Sequence, residues 1–413
     1  MCFAPVAGRR NRVMTRRLWI MLLCGILIML ASNGLRLTFG VFLRPISMDL
    51  DTGRQLFGLV IAGQTLLYGL TQPIAGMIAD RYGAVKVIVA GTLFYALGLW
   101  WTSVASNAFD LYISIGLLIG LGLSGASQVI VLGALSKVVP NERRGVVFGA
   151  VIAAGSLGMF FFVPGVQGLI DIFGWRKTLV LCAIFVALIS FLAIGLRVNT
   201  LGGGQGPAQS LREAIREART NRGYILLATG FFVCGFHVTF ISTHFPAFLA
   251  DNGISTTAAA YAMGIIGLCN IIGAFAFGAA GDRFRKKNIL TLIYLLRAVI
   301  MTAFLLIPIN DATAVIFGAC MGLVWLATVP LTSGIVAQVF GTRHFSMLFG
   351  VVFMSHQIGG FSGAWLGGLI YDATGSYNLM WGISVALGLA AAALHWPISD
   401  QPLERLSGNP VKA

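Results

Sequence analysis

Charge is scarce in this sequence: only 10% of its 413 residues are Asp, Glu, Lys or Arg, where a soluble chain carries about a quarter. A water-soluble globule is excluded. Acids are scarcer than bases, 14 against 28, and every acid from Asp49 to Glu404 falls in a loop, a terminus or the end of an apolar run. No carboxylate is left for the middle of a membrane. The 6 cysteines form no C-x-x-C pair, and Cys24, Cys182, Cys234, Cys269 and Cys320 lie inside apolar runs. A metal knuckle or a disulfide framework is not expected. No nucleophile–base set is visible, so the reading is not an enzyme, with no cofactor and no metal.

What is abundant is apolar sequence, at 57% of the chain with a mean hydropathy of +0.88. The 52 glycines suit membrane helices, where small residues let backbones approach closely. Apolar runs of about 20 residues recur twelve times, at 18–43, 55–79, 85–105, 109–135, 146–169, 178–197, 223–250, 257–280, 289–307, 312–339, 345–370 and 377–398. The first is too long for a signal h-region and reads as the first span. With the N-terminus cytoplasmic, only Arg44, Arg54, Arg176 and Lys177 fall in outer loops, and Arg36 and Arg297 fall within spans. All other Lys and Arg are inside, as the positive-inside rule requires. The net charge of +14 is thus an orientation signal, with no nucleic acid implied.

The sequence divides into a cytoplasmic tail (1–17), a six-helix half (18–197), a cytoplasmic linker (198–222), a second six-helix half (223–398) and a cytoplasmic tail (399–413). The linker opens with the Gly-rich stretch after Leu201 and continues as LREAIREART, which reads as a short basic amphipathic helix. The halves repeat. Gly34, Arg36, Thr38, Phe39 and Pro45 align with Gly235, His237, Thr239, Phe240 and Pro246, and Gly76, Asp80 and Arg81 align with Gly278, Asp282 and Arg283.

These residues resemble the major facilitator superfamily. Its signature after the second span, G-x-x-x-D-R-x-G-x-x-K/R, is met by Gly76, Asp80, Arg81, Gly83 and Lys86, with a degenerate copy from Gly278 to Lys287. The resemblance implies an all-α membrane fold of twelve transmembrane helices in two pseudo-symmetric halves that alternate access to a central site. It also implies a gating latch at Gly76, Asp80, Arg81, Gly83, Asp282 and Arg283. An acid at a helix end can pair with a basic loop residue or accept from a neighbouring helix N-terminus.

Ionisable groups at membrane depth are functional candidates, since each costs about 2.5–3.5 kcal/mol on translocon scales. Here they are basic, and a cavity of that sign prefers an anion. Arg36 lies eight residues before Arg44, about 12 Å of helix below the outer boundary, and its guanidinium can hold a carboxylate bidentately. The fold implied by the resemblance sets its repeat-mate His237 opposite, where it is expected to add a donor and the coupling proton. The same fold brings spans eight and eleven to the cavity, with Asn270, His356 and Gln357. Arg297 lies near mid-depth on span nine, where it either reaches substrate or caps carbonyls.

The nearest branch is that of the monocarboxylate porters. Arg143-Arg144-Gly-Val-Val-Phe-Gly149 through Gly155 is similar to its span-five signature, and Arg36 resembles its basic anchor in span one. Where that branch carries an acid and an arginine on span eight, this sequence has Asn270 and Ala274. The expected function is secondary active transport of a small organic anion, a monocarboxylate, across a bacterial-type inner membrane, with both termini cytoplasmic and the protein a monomer. A proton is the expected coupling partner. The alternative is an exporter of a larger amphipathic or aromatic compound, a xenobiotic or vitamin-like molecule.

Overall fold

The computed structural model describes residues 16–51, 54–197, 209–254 and 256–407. The basic residues before Arg16, the Gly-rich part of the linker and the last six residues lie outside the described residues. Among the described residues 10 helices are long and apolar enough to cross a membrane. Two further helices, Arg54–Tyr82 and Phe345–Thr374, are 29 and 30 residues long and form the second and eleventh spans. Both are more polar, carrying Gln64 and Gln72 in one and His356 and Gln357 in the other, and they pack against each other between the halves. A span that faces protein rather than lipid on two sides can keep such groups.

Three spans read as continuous from the sequence are broken. The first comprises Arg16–Arg36 and Phe39–Asp49, interrupted where the Thr38 hydroxyl donates to the Leu35 carbonyl at 2.7 Å. The fourth breaks before Gln128–Ser136, whose N-cap Ser127 accepts from the Ile130 N–H. The tenth consists of Asp311–Val324 and Thr328–Phe340. Each break exposes backbone groups that lipid cannot satisfy, so each sits where protein supplies partners.

The fifth and sixth spans run through Arg144–Ile189, reversing at Gly174, whose φ of 76° is in the left-handed region. Arg176 follows it. Its guanidinium donates to the Ser103 and Ala105 carbonyls at 2.9 and 3.1 Å and pairs with Asp49 at 2.9 Å. The Gly-Trp-Arg element therefore ties the first, third and sixth spans together at one end of the bundle.

The linker helix is Leu211–Thr220, with a capping box between Ser210 and Glu213. Ala214 and Ala218 are its buried face, and Arg212, Arg216 and Arg219 are exposed. Glu217 pairs with Arg405 at 2.8 Å, and Arg405 also donates to the Phe340 carbonyl at 2.8 Å. The helix is thereby clasped to the second half. Partial burial pushes the Glu217 carboxyl up, but hydrogen bonds from Arg405 and Gln209 outweigh it and hold the group below the usual range. A depressed carboxyl contributes stability above its unfolded value, about 4.3, and loses it as pH falls through the folded value. Acidification below about pH 4 is expected to speed amide exchange in Leu211–Thr220 before the spans respond. Arg405→Gln should do so at neutral pH.

The halves meet along two seams. On one, Gly76 of the second span abuts the Ser346 backbone and Gly69 abuts Gln357. On the other, Gly145 of the fifth span abuts the Gly278 carbonyl of the eighth span, Thr256–Arg283, and Gly149 lies against Ala274. Farther along the same face of the eighth span, Gly267 meets nothing within 4 Å. The fifth and eighth spans are thus packed from mid-depth to the arginine-rich end.

Candidate functional site

Arg36 is the last residue before the break in the first span, so its side chain leaves the helix where the backbone turns. Its guanidinium lies over the Tyr68 ring, 5.4 Å from the centroid, in a cation–π contact. It has no hydrogen bond and no carboxylate among the described residues. Tyr68, on the second span, is 3% exposed and meets Phe353 of the eleventh span edge-on at 5.4 Å. Arg36 therefore stands at the seam between the two halves, partly exposed above a buried aromatic floor.

The floor continues along the eleventh span. His356 stacks on Phe353 with rings 5.5 Å apart and 5° from parallel, and its other neighbour is Phe231 at 4.8 Å. His356 Nδ1 is 3.0 Å from Gln357 Oε1. Gly69 matters here, because a Cβ at that position would collide with Gln357. Arg36, His356 and Gln357 are thus brought to one seam by Tyr68 and Phe353.

Asn270 occupies the other seam. Its Nδ2 donates to Ser156 Oγ of the first half at 2.6 Å, and its Oδ1 accepts from the Leu326 N–H at the tenth-span break at 2.9 Å. It bridges halves and satisfies a broken helix with one amide.

Two expected site residues are placed elsewhere. His237 does not flank Arg36: it is 0% exposed, and its Nε2 lies 2.8 Å from the Ser384 carbonyl of the twelfth span, Asn378–His395. Repeat symmetry put it on the right helix but on a face that packs within its own half. Arg297 is also 0% exposed. Its Nε and Nη2 donate to the Val324 carbonyl at 3.1 and 2.8 Å, and Nη2 also reaches the Trp325 carbonyl and Cys234 Sγ. Of the two roles open to Arg297 in the sequence, carbonyl capping is the one its contacts form.

Tyr68, Ser156 and Phe353 also belong to these seams, and none of them is singled out by the sequence pattern described above. A signal existed for Tyr68: the offset that aligns Asp80 with Asp282 aligns Tyr68 with Asn270.

At the arginine-rich end the two repeat acids make matching contacts across the seams. Asp80 accepts from the Met347 N–H at 2.9 Å, near the start of the eleventh span, and pairs with Lys137 at 3.3 Å. Asp282 accepts from the Gly145 and Val146 N–H groups at 2.7 and 3.0 Å, at the start of the fifth span. Each carboxylate caps a helix of the opposite half, where free N–H groups and the helix dipole favour an anion. Gly76 and Gly145 make the approach possible, and Gly83, with φ 94°, turns the chain after Asp80. Arg81 and Arg283 point outward and are exposed.

A transporter architecture is defined by these features together: two repeated halves, a polar seam at mid-depth and reciprocal caps at one end. The model of the Major Facilitator Superfamily matches residues 21–329 and 227–411, and the chain belongs to that family. It is similar to the uncharacterized MFS-type transporter YhjX of Escherichia coli (strain K12), 25% identical over 354 residues that cover 83% of this chain and 86% of that one. It is also similar to monocarboxylate transporter 13 of Rattus norvegicus, 27% identical over 330 residues, covering 78% and 75%. Among solved structures, the transporter FucP in the outward conformation superposes with a TM-score of 0.72 at 17% identity, covering 92% of this chain and 99% of that one. The proton:xylose symporter XylE gives 0.73 at 14%, covering 96% and 99%. These likenesses establish the fold of a multi-pass membrane protein.

Proposed function

We propose that the protein is a secondary active transporter that moves a small organic anion, a monocarboxylate, by alternating access. The observation that carries this reading is Arg36, a guanidinium with no anionic partner among the described residues, at the inter-half seam. A partly desolvated guanidinium with free donors binds carboxylate through two charge-assisted hydrogen bonds. No Asp or Glu in the described spans stands at mid-depth to compete for it. The similarity to monocarboxylate transporter 13 supports the substrate class.

His356 is the histidine that stacks on this floor, so it replaces His237 as the candidate for proton coupling. The contacts of Gly76, Asp80, Gly83 and Asp282 support a latch that holds the arginine-rich end closed while the cavity opens at the other. The placement of both termini in the cytoplasm of a bacterial-type inner membrane, and a monomeric state, complete the proposal. The test is uptake of a carboxylate panel into proteoliposomes under an imposed pH gradient. Arg36→Gln is expected to lower uptake at least about tenfold, the loss of one charge-assisted pair. Wild-type rates for every anion in that variant would overturn the site.

A further inference from the structure

We infer that the His356–Gln357 pair is a hydroxyl subsite, and that the transported anion is a carboxylate with a hydroxyl distant from the acid group. This deepens the proposed function and rests on Arg36 as the carboxylate anchor. Between them the two side chains satisfy one bond, Nδ1 to Oε1 at 3.0 Å. The polar atoms left over, His356 Nε2 and Gln357 Nε2, have no nitrogen or oxygen partner, although the residues are only 8% and 4% exposed. The Cys234 thiol is hydrogen-bonded to His356, a weak bond that a stronger hydroxyl partner can displace. Buried polar groups without partners are costly, and a ligand group that satisfies them recovers that cost.

What the pair asks for follows from its chemistry. With Nδ1–H donating to Oε1, the free groups are the amide N–H and the lone pair of ring Nε2. With the amide turned over and Nδ1 accepting, the free groups are ring Nε2–H and the amide oxygen. In both arrangements one donor and one acceptor are left over. A hydroxyl satisfies both with a single atom. An oxo group accepts only, and a methyl group does neither.

Placement then sets where the hydroxyl lies on the substrate. Tyr68 and Phe353 link Arg36 to the pair through successive contacts of 5.4, 5.4 and 5.5 Å. The guanidinium makes no hydrogen bond with either His356 or Gln357 among the described residues. A hydroxyl on the carbon next to the carboxylate is too close to serve both anchors. A flat or extended skeleton lying along the two rings can reach.

The test compares melting shifts of the purified protein with matched pairs of probes: para-hydroxybenzoate against benzoate, gluconate against hexanoate, and lactate against propionate. The two distal-hydroxyl probes are expected to bind about 5- to 100-fold tighter than their partners, the range of one unsatisfied buried pair. Lactate and propionate should differ little. Gln357→Leu and His356→Phe are expected to erase the preference while keeping carboxylate binding, and Arg36→Gln should remove both. Their melting temperatures without ligand show that they are folded. Equal affinity within every pair, with Arg36-dependent binding intact, would overturn the hydroxyl subsite and leave the anion reading standing. Absence of Arg36-dependent binding by any probe would overturn both.

Discussion

Asp282→Ala is expected to open the arginine-rich end of the seam between the fifth and eighth spans. The carboxylate now satisfies two N–H groups, Gly145 and Val146, at the start of a helix in the opposite half. Removing it leaves both without a partner in the closed arrangement, at a cost of roughly 2–3 kcal/mol for bonds to a charged acceptor. In the open arrangement water replaces the carboxylate, so the loss falls on one state. A two-state equilibrium should move roughly 30- to 150-fold toward opening. Amide exchange at Gly145 and Val146 should rise, and a cysteine placed at Ala274 should become reactive to a water-soluble maleimide. Asp80→Ala should act in the same direction through Met347 and the Ser346 side chain. Unchanged exchange in both variants would mean that the caps follow closure without holding it.

The second large effect is one of stability. Arg297→Met is expected to destabilise the protein by about 2–4 kcal/mol, because the Val324 and Trp325 carbonyls at the tenth-span break lose their charged donor in a site that excludes water. The apolar replacement also relieves a buried charge, which keeps the loss below the sum of the bonds. Arg297→Lys should rescue little, since a single ammonium cannot reproduce a planar fork held between two carbonyls. A lower melting temperature with unchanged anion affinity is the signature of a capping residue. Lost affinity at an unchanged melting temperature would return Arg297 to the substrate site.

These residues show how far the sequence could be read. Span number, the repeat and the motif acids were legible because they rest on apolar length and fixed spacing. Arg36 was legible because a cation at membrane depth is costly and stands out. The tenth-span break was not, because Trp325-Leu326-Ala327 contains neither Gly nor Pro and depends on Arg297 and Asn270 reaching in from other helices. His237 was assigned by symmetry between repeats. Symmetry fixes a helix position, whereas the Ser384 carbonyl that draws the ring aside belongs to a span with its own sequence. Phe353 was hidden among 29 Phe, since an aromatic at a seam and one facing lipid look alike along the chain, whereas Tyr68 was marked by its repeat-mate Asn270 alone.

Because no carboxylate stands opposite Arg36 or Arg297 among the described residues, the empty interior carries positive charge and a bound monoanion cancels part of it. A membrane potential acts on each uncompensated charge with about 2.3 kcal/mol per 100 mV. On the proposed reading the anion and its coupling proton together add no charge, so the voltage pulls on the loaded protein as hard as on the unloaded one. An inside-negative membrane would speed the reorientation of both toward the cell interior and slow the return, so voltage would show in turnover more than in affinity.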